Sequence, residues 1–165
     1  MSVTSVEKDP EALTMTVRAH LDATVERAWQ LWDDPRQFER WWGPPGYPVT
    51  VADHDLRTGG RIDFSMAGDG GERHDSTWEV LLADPPHRLE LRDADVDENG
   101  RPNDGNAMTV MVVTFADADG GGTEMAVQTR FDSLEGMEQV LAMGVEEGMR
   151  MVVAQIDEVL AGTPA

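Results

Sequence analysis

The densest group of side chains able to do chemistry is Asp53-His54-Asp55. Two carboxylates and an imidazole are the donor types a metal ion would take, and an inward-facing Asp is the type that serves as a general base. Neighbouring residues on a strand point to opposite faces, so the three cannot converge on one ion. Nothing resembling His-Glu-x-x-His occurs in the chain, and no metal is expected. Strand alternation puts Asp53 inward, with Ser76, Thr129 and Gln155 as its few polar companions. That makes Asp53 the one catalytic candidate. The plainer role for Asp53 and Asp55 is to hydrogen-bond the Leu56–Gly60 turn. His20, His74 and His87 read as surface residues. The chain has no Gly-x-Ser-x-Gly, no P-loop and no Gly-x-Gly-x-x-Gly. It has no cysteine, so thiol catalysis, disulfide scaffolds and thiolate metal sites are excluded. An enzyme is therefore the less expected class, and no cofactor is implied.

The apolar residues are more informative. Trp41 and Trp42 stand beside Gly43-Pro44-Pro45-Gly46. Phe64, Met66 and Trp78 fall on inward strand positions. Met137, Leu141, Gly144, Gly148 and Met151 fall on the inner face of a helix expected over 133–161. A glycine inside a helix costs roughly 1 kcal/mol relative to alanine. Two of them, four residues apart, leave that face bare, either for close contact with a sheet or for a ligand cavity. Each aromatic or Met is at home in a core. Together they suit an adaptable apolar pocket, because Met fills irregular space and Trp adds area with one donor.

The elements that must position these residues follow from periodicity. Residues 14–21 alternate as a half-buried strand, with Met15, Val17, Ala19 and Leu21 on one face. Thr24 offers an N-cap, and Val25, Ala28, Trp29 and Trp32 form one helical face. Pro35 restarts the chain as a second short helix through Phe38 and Trp41. From 48 to 132, short alternating runs separated by Gly, Asp and Pro turns read as an antiparallel meander. Residues 93–107 are acidic and aperiodic, and read as a long mobile loop able to act as a lid. Asp132 and Glu135 fit a capping box for the final helix, and Gly162 ends it. The order is strand, two short helices, about six strands and one long helix, which is an α+β layout whose simplest packing wraps a curved sheet on the helix.

Composition bounds the rest. At 165 residues the chain is one domain, expected at 13–162 after a flexible segment 1–12. Thirteen basic against 32 acidic residues give a net charge of −19, which disfavours nucleic acid and anionic membranes as partners. No run reaches 18 apolar residues, so no membrane insertion is expected. The opening MSVTSVEKDPEAL lacks a signal-peptide pattern, and a cytoplasmic location is expected. Unpaired sheet edges leave a homodimer open.

Five segments, in order, resemble one family. Arg40-Trp41-Trp42-Gly43-Pro44 resembles the Trp-Trp-Gly-Pro segment of the START-like, or SRPBCC, superfamily, in its branch similar to the heat-shock protein 90 ATPase activator homologues. Asp55-Leu56-Arg57-Thr58-Gly59-Gly60-Arg61 looks like that branch's Asp-Leu-Arg-Pro-Gly-Gly, with Thr58 in place of Pro. Pro86-His87-Arg88-Leu89, Gly122-Thr123-Glu124-Met125 and Gly144-Val145-Glu146-Glu147-Gly148-Met149 match its later segments. The resemblance implies a helix-grip fold, with seven antiparallel strands around the C-terminal helix and a cavity between them. It also implies binding of a lipid, polyketide or other apolar compound. Relatives include polyketide cyclases or aromatases and chaperone ATPase regulators, which remain alternatives.

Overall fold

The computed structural model describes residues 3–43, 48–68, 73–93, 110–131, 133–142 and 144–162. The chain begins with strands β1 (Val3–Asp9) and β2 (Thr14–Leu21), followed by helices α1 (Val25–Asp33) and α2 (Pro35–Trp41). Six strands come next: β3 (Val49–His54), β4 (Arg61–Ala67), β5 (Arg73–Asp84), β6 (Arg88–Asp93), β7 (Val110–Asp117) and β8 (Thr123–Arg130). Helices α3 (Leu134–Ala142) and α4 (Val145–Gly162) close it. The strands form one antiparallel sheet in the order β1-β2-β8-β7-β6-β5-β4-β3. The helices lie on one face, and α4 packs against α2, β1 and β2. This is the α+β helix-grip arrangement expected of the sequence.

Alternation explains most of the core. Met15, Val17, Ala19 and Leu21 of β2, Met125 and Val127 of β8, and Val113 and Phe115 of β7 are buried on the helix-facing side. Their neighbours Arg18, Thr114 and Gln128 point the other way, as a period of two requires. Thr24 caps α1 by accepting from Arg27 N at 3.2 Å. Asp34 caps α2 by accepting from Arg36 N at 2.9 Å, with Pro35 at the first helical position. Both caps supply acceptors to helix N–H groups that have no intrahelical partner.

Three features depart from the sequence reading. The sheet has eight strands because part of the 1–12 segment forms β1. Asp9 Oδ1 accepts from the backbone N–H groups of Glu11 and Ala12, each at 3.1 Å, and so builds the turn that folds β1 back on β2. Main-chain pairing needs no apolar alternation, and the exposed Glu7 and Lys8 are ordinary for an edge strand.

The second departure is that the long helix is two. Gly144 has φ +88° and donates to Leu141 O at 3.1 Å, so it terminates α3 in the left-handed region that glycine enters at no steric cost. Its carbonyl then accepts from Gly148 N at 3.0 Å, starting α4. The break shifts the helical phase. Met149, Val152, Val153, Ile156 and Val159 are buried, whereas Met151 is 42% exposed; Leu134, at the start of α3 and before the break, is 48% exposed. Ser133 caps α3, with Oγ accepting from Gly136 N at 3.0 Å; Asp132 lies outside the described residues.

The third departure is a register shift between Val51 and Asp53. The extra residue Ala52 flips the strand, so Asp53 is exposed and His54 takes the inward position opposite Ile62. The acidic loop read at 93–107 lies, beyond Asp93, outside the described residues, as do Pro44, Pro45 and Gly46 of the turn after α2.

Candidate functional site

The aromatic residues converge on one place. Phe38 of α2 is the centre: its ring centroid lies 5.5 Å from Trp41 and Trp42, 5.7 Å from Trp78, 5.8 Å from Phe64 and 6.1 Å from Trp32. The Trp42 ring is stacked on Phe38 at an interplanar angle of 17° and meets Trp78 edge to face at 4.9 Å. Most other pairs are also edge to face, the preferred geometry for ring quadrupoles. The short helices supply Trp32, Phe38, Trp41 and Trp42; the sheet supplies Phe64 from β4 and Trp78 from β5.

Polar bonds hold the helical pair in place. Trp41 Nε1 donates to Leu31 O at 2.8 Å, locking α2 onto α1. Gln155 of α4 donates from Nε2 to Trp41 O at 2.9 Å and to Gly43 O at 2.7 Å. The inward polar side chain noted in the sequence thus clasps the carbonyls at the end of α2. His54 Nε2 lies 2.9 Å from Trp32 O, and Glu39 Oε2 accepts from Val51 N at 2.7 Å, joining the pair to β3.

Among the described residues, two donors in this cluster have no acceptor. The indole N–H groups of Trp32 and Trp42 are both buried and unpartnered. Trp32 is 1% exposed, while Trp42 is half-buried. A buried N–H left without a partner costs about 1–3 kcal/mol. The third indole of the cluster to be oriented by a helix, Trp41, has its carbonyl. An acceptor brought from outside would offset this cost at Trp42.

The residues expected to line a cavity divide as follows. Trp41, Phe64, Trp78 and Met137 are buried. Trp42, Met66 and Leu141 are half-buried and pack against the same core. Gly148 is half-buried on α4, with no atom within 4 Å of where a Cβ would stand. Gly144 and Met151 do not join them: Gly144 is exposed in the break between helices, and the phase shift turns Met151 to solvent. Asp53 is also outside the cluster, turned outward by the bulge. Trp41, which a surface protein contact would need exposed, is 0% exposed. Trp32 and Phe38 are the residues sequence reasoning left out. Their signal was the helical spacing of Trp29 with Trp32 and of Phe38 with Trp41.

The larger cavities lined by described residues open elsewhere. One of about 430 Å³ lies among Thr50, Asp63, Ser65 and Thr77 on the outer side of β3–β5. One of about 500 Å³ is bounded by Asp53, His54, Asp55, Arg61 and Asp63, and one of about 660 Å³ by His20, Asp22, Asp117 and Gly120. Beside the second, partial burial pushes the Asp63 carboxyl up, but hydrogen bonds from Arg61 and Thr77 and the Arg61 charge outweigh it and hold Asp63 below the ordinary carboxylate value. Among the described residues no group of three or more His, Asp or Glu is placed to hold a metal ion. No described helix is long and apolar enough to cross a membrane.

Comparison with known proteins assigns the architecture. The family model described as "Activator of Hsp90 ATPase homolog 1-like protein" matches residues 22–161. The crystal structure of protein Ms6760 from Mycobacterium smegmatis is similar at 42% identity and a TM-score of 0.86, covering 99% of both chains. A solution structure of a protein from Arthrobacter aurescens is 40% identical with a TM-score of 0.90, covering 98% of this chain and 94% of that one. The AHSA1 protein of Silicibacter pomeroyi shares the fold at 19% identity and a TM-score of 0.71, covering 90% and 97%. No curated protein matches the chain.

Proposed function

The chain belongs to the Activator of Hsp90 ATPase homolog 1-like family, and from that premise we propose that it binds an apolar, ring-containing small molecule against the aromatic cluster between the α1–α2 pair, the sheet and α4. Family membership supports a ligand-binding or regulatory module in general. The finer reading rests on one observation: Trp42 is half-buried, stacked on Phe38 and edge to face with Trp78, with a buried indole N–H that has no acceptor among the described residues. Such a group offers a flat apolar surface and one unspent donor. The ligand it favours has a planar body and a hydrogen-bond acceptor such as a carbonyl or an ether oxygen. A Cβ added at Gly148 on α4 would meet no atom within 4 Å, so that stretch of the helix puts no side chain in such a body's way.

Two other readings have less behind them. A cyclase-like or hydrolytic enzyme built on Asp53 would need that carboxylate inside, and it is exposed. A protein-contact module built on the Trp41-Trp42 segment would need Trp41 at the surface, and it is buried.

The test is mass spectrometry of the freshly purified protein, native and then denatured, with titration of 8-anilinonaphthalene-1-sulfonate as a ringed probe. The expected result is a stoichiometric lipophilic species on the wild type, or saturable probe binding that Trp42→Ala weakens at least tenfold. Equal probe binding by wild type and variant, with no retained species, would overturn the reading.

A further inference from the structure

The outer face of the sheet, opposite the helices, carries a second feature. Strand register places Arg18 of β2, Ala126 of β8, Thr114 of β7 and Arg88 of β6 in one row across four strands. Arg130 lies on the same face of β8, four residues along from Ala126. These residues enclose a depression of about 250 Å³. Its floor includes Val112, which faces away from the helices and stands outside the main core, yet is only 4% exposed. Thr16 beside it is 7% exposed. Burial of outward-facing residues on an open sheet means that something covers them. Here the cover is the wall of arginine and glutamine side chains, whose aliphatic stems shield apolar floor while the guanidinium heads stay at the rim.

Among the described residues that line the depression there is no Asp or Glu, in a chain with 32 acidic and 13 basic residues. The bonds the arginines already make leave donors to spare. Arg88 uses Nε on Glu90 at 2.8 Å, and Arg130 uses Nε on the neutral Gln128 at 2.9 Å. Both Nη groups of each are outside those bonds. Among the described residues Arg18 is held by long contacts, 3.3 Å to Glu7 and 3.4 Å to Glu124, whose side chains are 60% and 51% exposed. Exposed pairs of that kind contribute about 0–1 kcal/mol and yield readily to a better acceptor. A guanidinium edge matches a planar carboxylate or a phosphate, and two or three edges around one hollow match a ligand with several oxyanion groups. The overall charge of −19 does not forbid this, since at about 0.15 M salt charges beyond roughly 8 Å are largely screened.

We infer that this arginine-walled hollow is a binding site for a small, multiply charged oxyanion, such as a polycarboxylate or a phosphate ester, with Arg88 and Arg130 as its principal ligand-holding groups and Thr114, beside Arg88 in the register, as a neutral donor. The hollow lies on the face of the sheet opposite the aromatic cluster, so its occupancy stands or falls separately from the apolar ligand.

The experiment is isothermal titration calorimetry of the full chain with citrate and with pyrophosphate, at low and at 0.15 M salt, on wild type and four variants. Arg88→Gln and Arg130→Gln should each weaken binding about tenfold, the scale of one charge-assisted bond. Ala126→Glu keeps every arginine but puts a carboxylate on the floor, and should abolish binding. Arg36→Gln, at a more exposed arginine on α2 paired with Glu39, should change affinity less than twofold. Thermal melts confirm that the variants are folded. Absence of saturable binding of either anion, or equal affinity in the Arg88, Arg130 and Arg36 variants, overturns the proposal.

Discussion

Gly144 and Gly148 are four residues apart, and the same substitution should move stability in opposite directions at the two sites. Gly148 lies inside α4 with ordinary helical backbone, and nothing stands within 4 Å of an added Cβ. Gly148→Ala therefore adds a methyl without a clash and removes the conformational freedom that glycine has when unfolded, for a gain of about 1 kcal/mol. Gly144 also has open space around it, but its φ is +88°, where a Cβ crowds its own carbonyl. Gly144→Ala should cost about 1–2 kcal/mol. In a domain of this size 1 kcal/mol corresponds to roughly 2–4 °C in Tm, so the two variants should melt at least about 4 °C apart, on either side of wild type. Differential scanning calorimetry at fixed pH reads this directly. A fall in Tm for Gly148→Ala would show that the space beside α4 is filled, and would remove the room given to a ligand there. A rise for Gly144→Ala would show that α3 and α4 are one helix after all. Gly148→Leu carries the logic into function: it should fold, and bind 8-anilinonaphthalene-1-sulfonate far more weakly.

Phe38 is the hub of the aromatic cluster and is 1% exposed. Phe38→Ala should cost about 3–5 kcal/mol in urea unfolding; a loss under about 1 kcal/mol would mean that the rings do not converge on it. A Cβ at Gly60 would overlap the backbone carbonyl oxygen of Asp55 and crowd that of Arg57, neither of which can swing aside. Gly60→Ala should cost at least about 2 kcal/mol, and a melt like that of wild type would refute the turn's geometry. Asp63 is held below the ordinary carboxylate value, so its contribution is complete above about pH 4 and is lost as pH falls through the lower, folded value. Asp63→Asn should flatten the acid limb of a stability profile below about pH 4 and leave the neutral limb's slope unchanged. An unaltered acid limb would show that Arg61 and Thr77 do not bias its protonation.

Side-chain periodicity was enough to read most of the fold. β2, β4, α1 and α2 are where alternation and capping residues put them, because in each the pattern of burial is also the pattern of the backbone. The failures share one cause. Ala52 inserts a bulge that turns Asp53 out and His54 in, and nothing in the residue types of 49–55 announces it. Gly144 breaks the helix because its backbone is left-handed, yet on a helical wheel a glycine reads only as a small inward residue. After it the inner face was read off centre: Val152 and Val159 are buried as expected, but Met151 was expected inside and is exposed, while Met149 and Ile156 are buried. β1 was missed because an edge strand is held by main-chain bonds and needs no apolar rhythm. The candidate site suffered the same way: Phe64 and Trp78 were legible as inward aromatics and Trp41 and Trp42 as pocket candidates beside a turn, but their meeting point, Phe38, depends on how α2 lies across β4 and β5.

The distinction between core and binding surface in the aromatic cluster turns on Trp42. If Trp42 is only core, its ring matters and its N–H is a burden, so Trp42→Phe should keep most of the stacking on Phe38 and of the edge contact with Trp78 and change nothing but stability. If Trp42 is the ligand's donor, the same variant should lose binding while stability hardly moves. The lost ring area is then partly offset by removing an unpartnered buried donor worth about 1–3 kcal/mol. A neutral hydrogen bond contributes about 0.5–1.5 kcal/mol net, or roughly a two- to twelvefold loss of affinity for a probe that offers an acceptor. A probe of similar shape without an acceptor should bind both proteins alike. Pairing urea unfolding with titration of the two probes therefore separates the roles. A stability loss above about 2 kcal/mol with both affinities unchanged would make Trp42 a core residue and leave its indole N–H without a function.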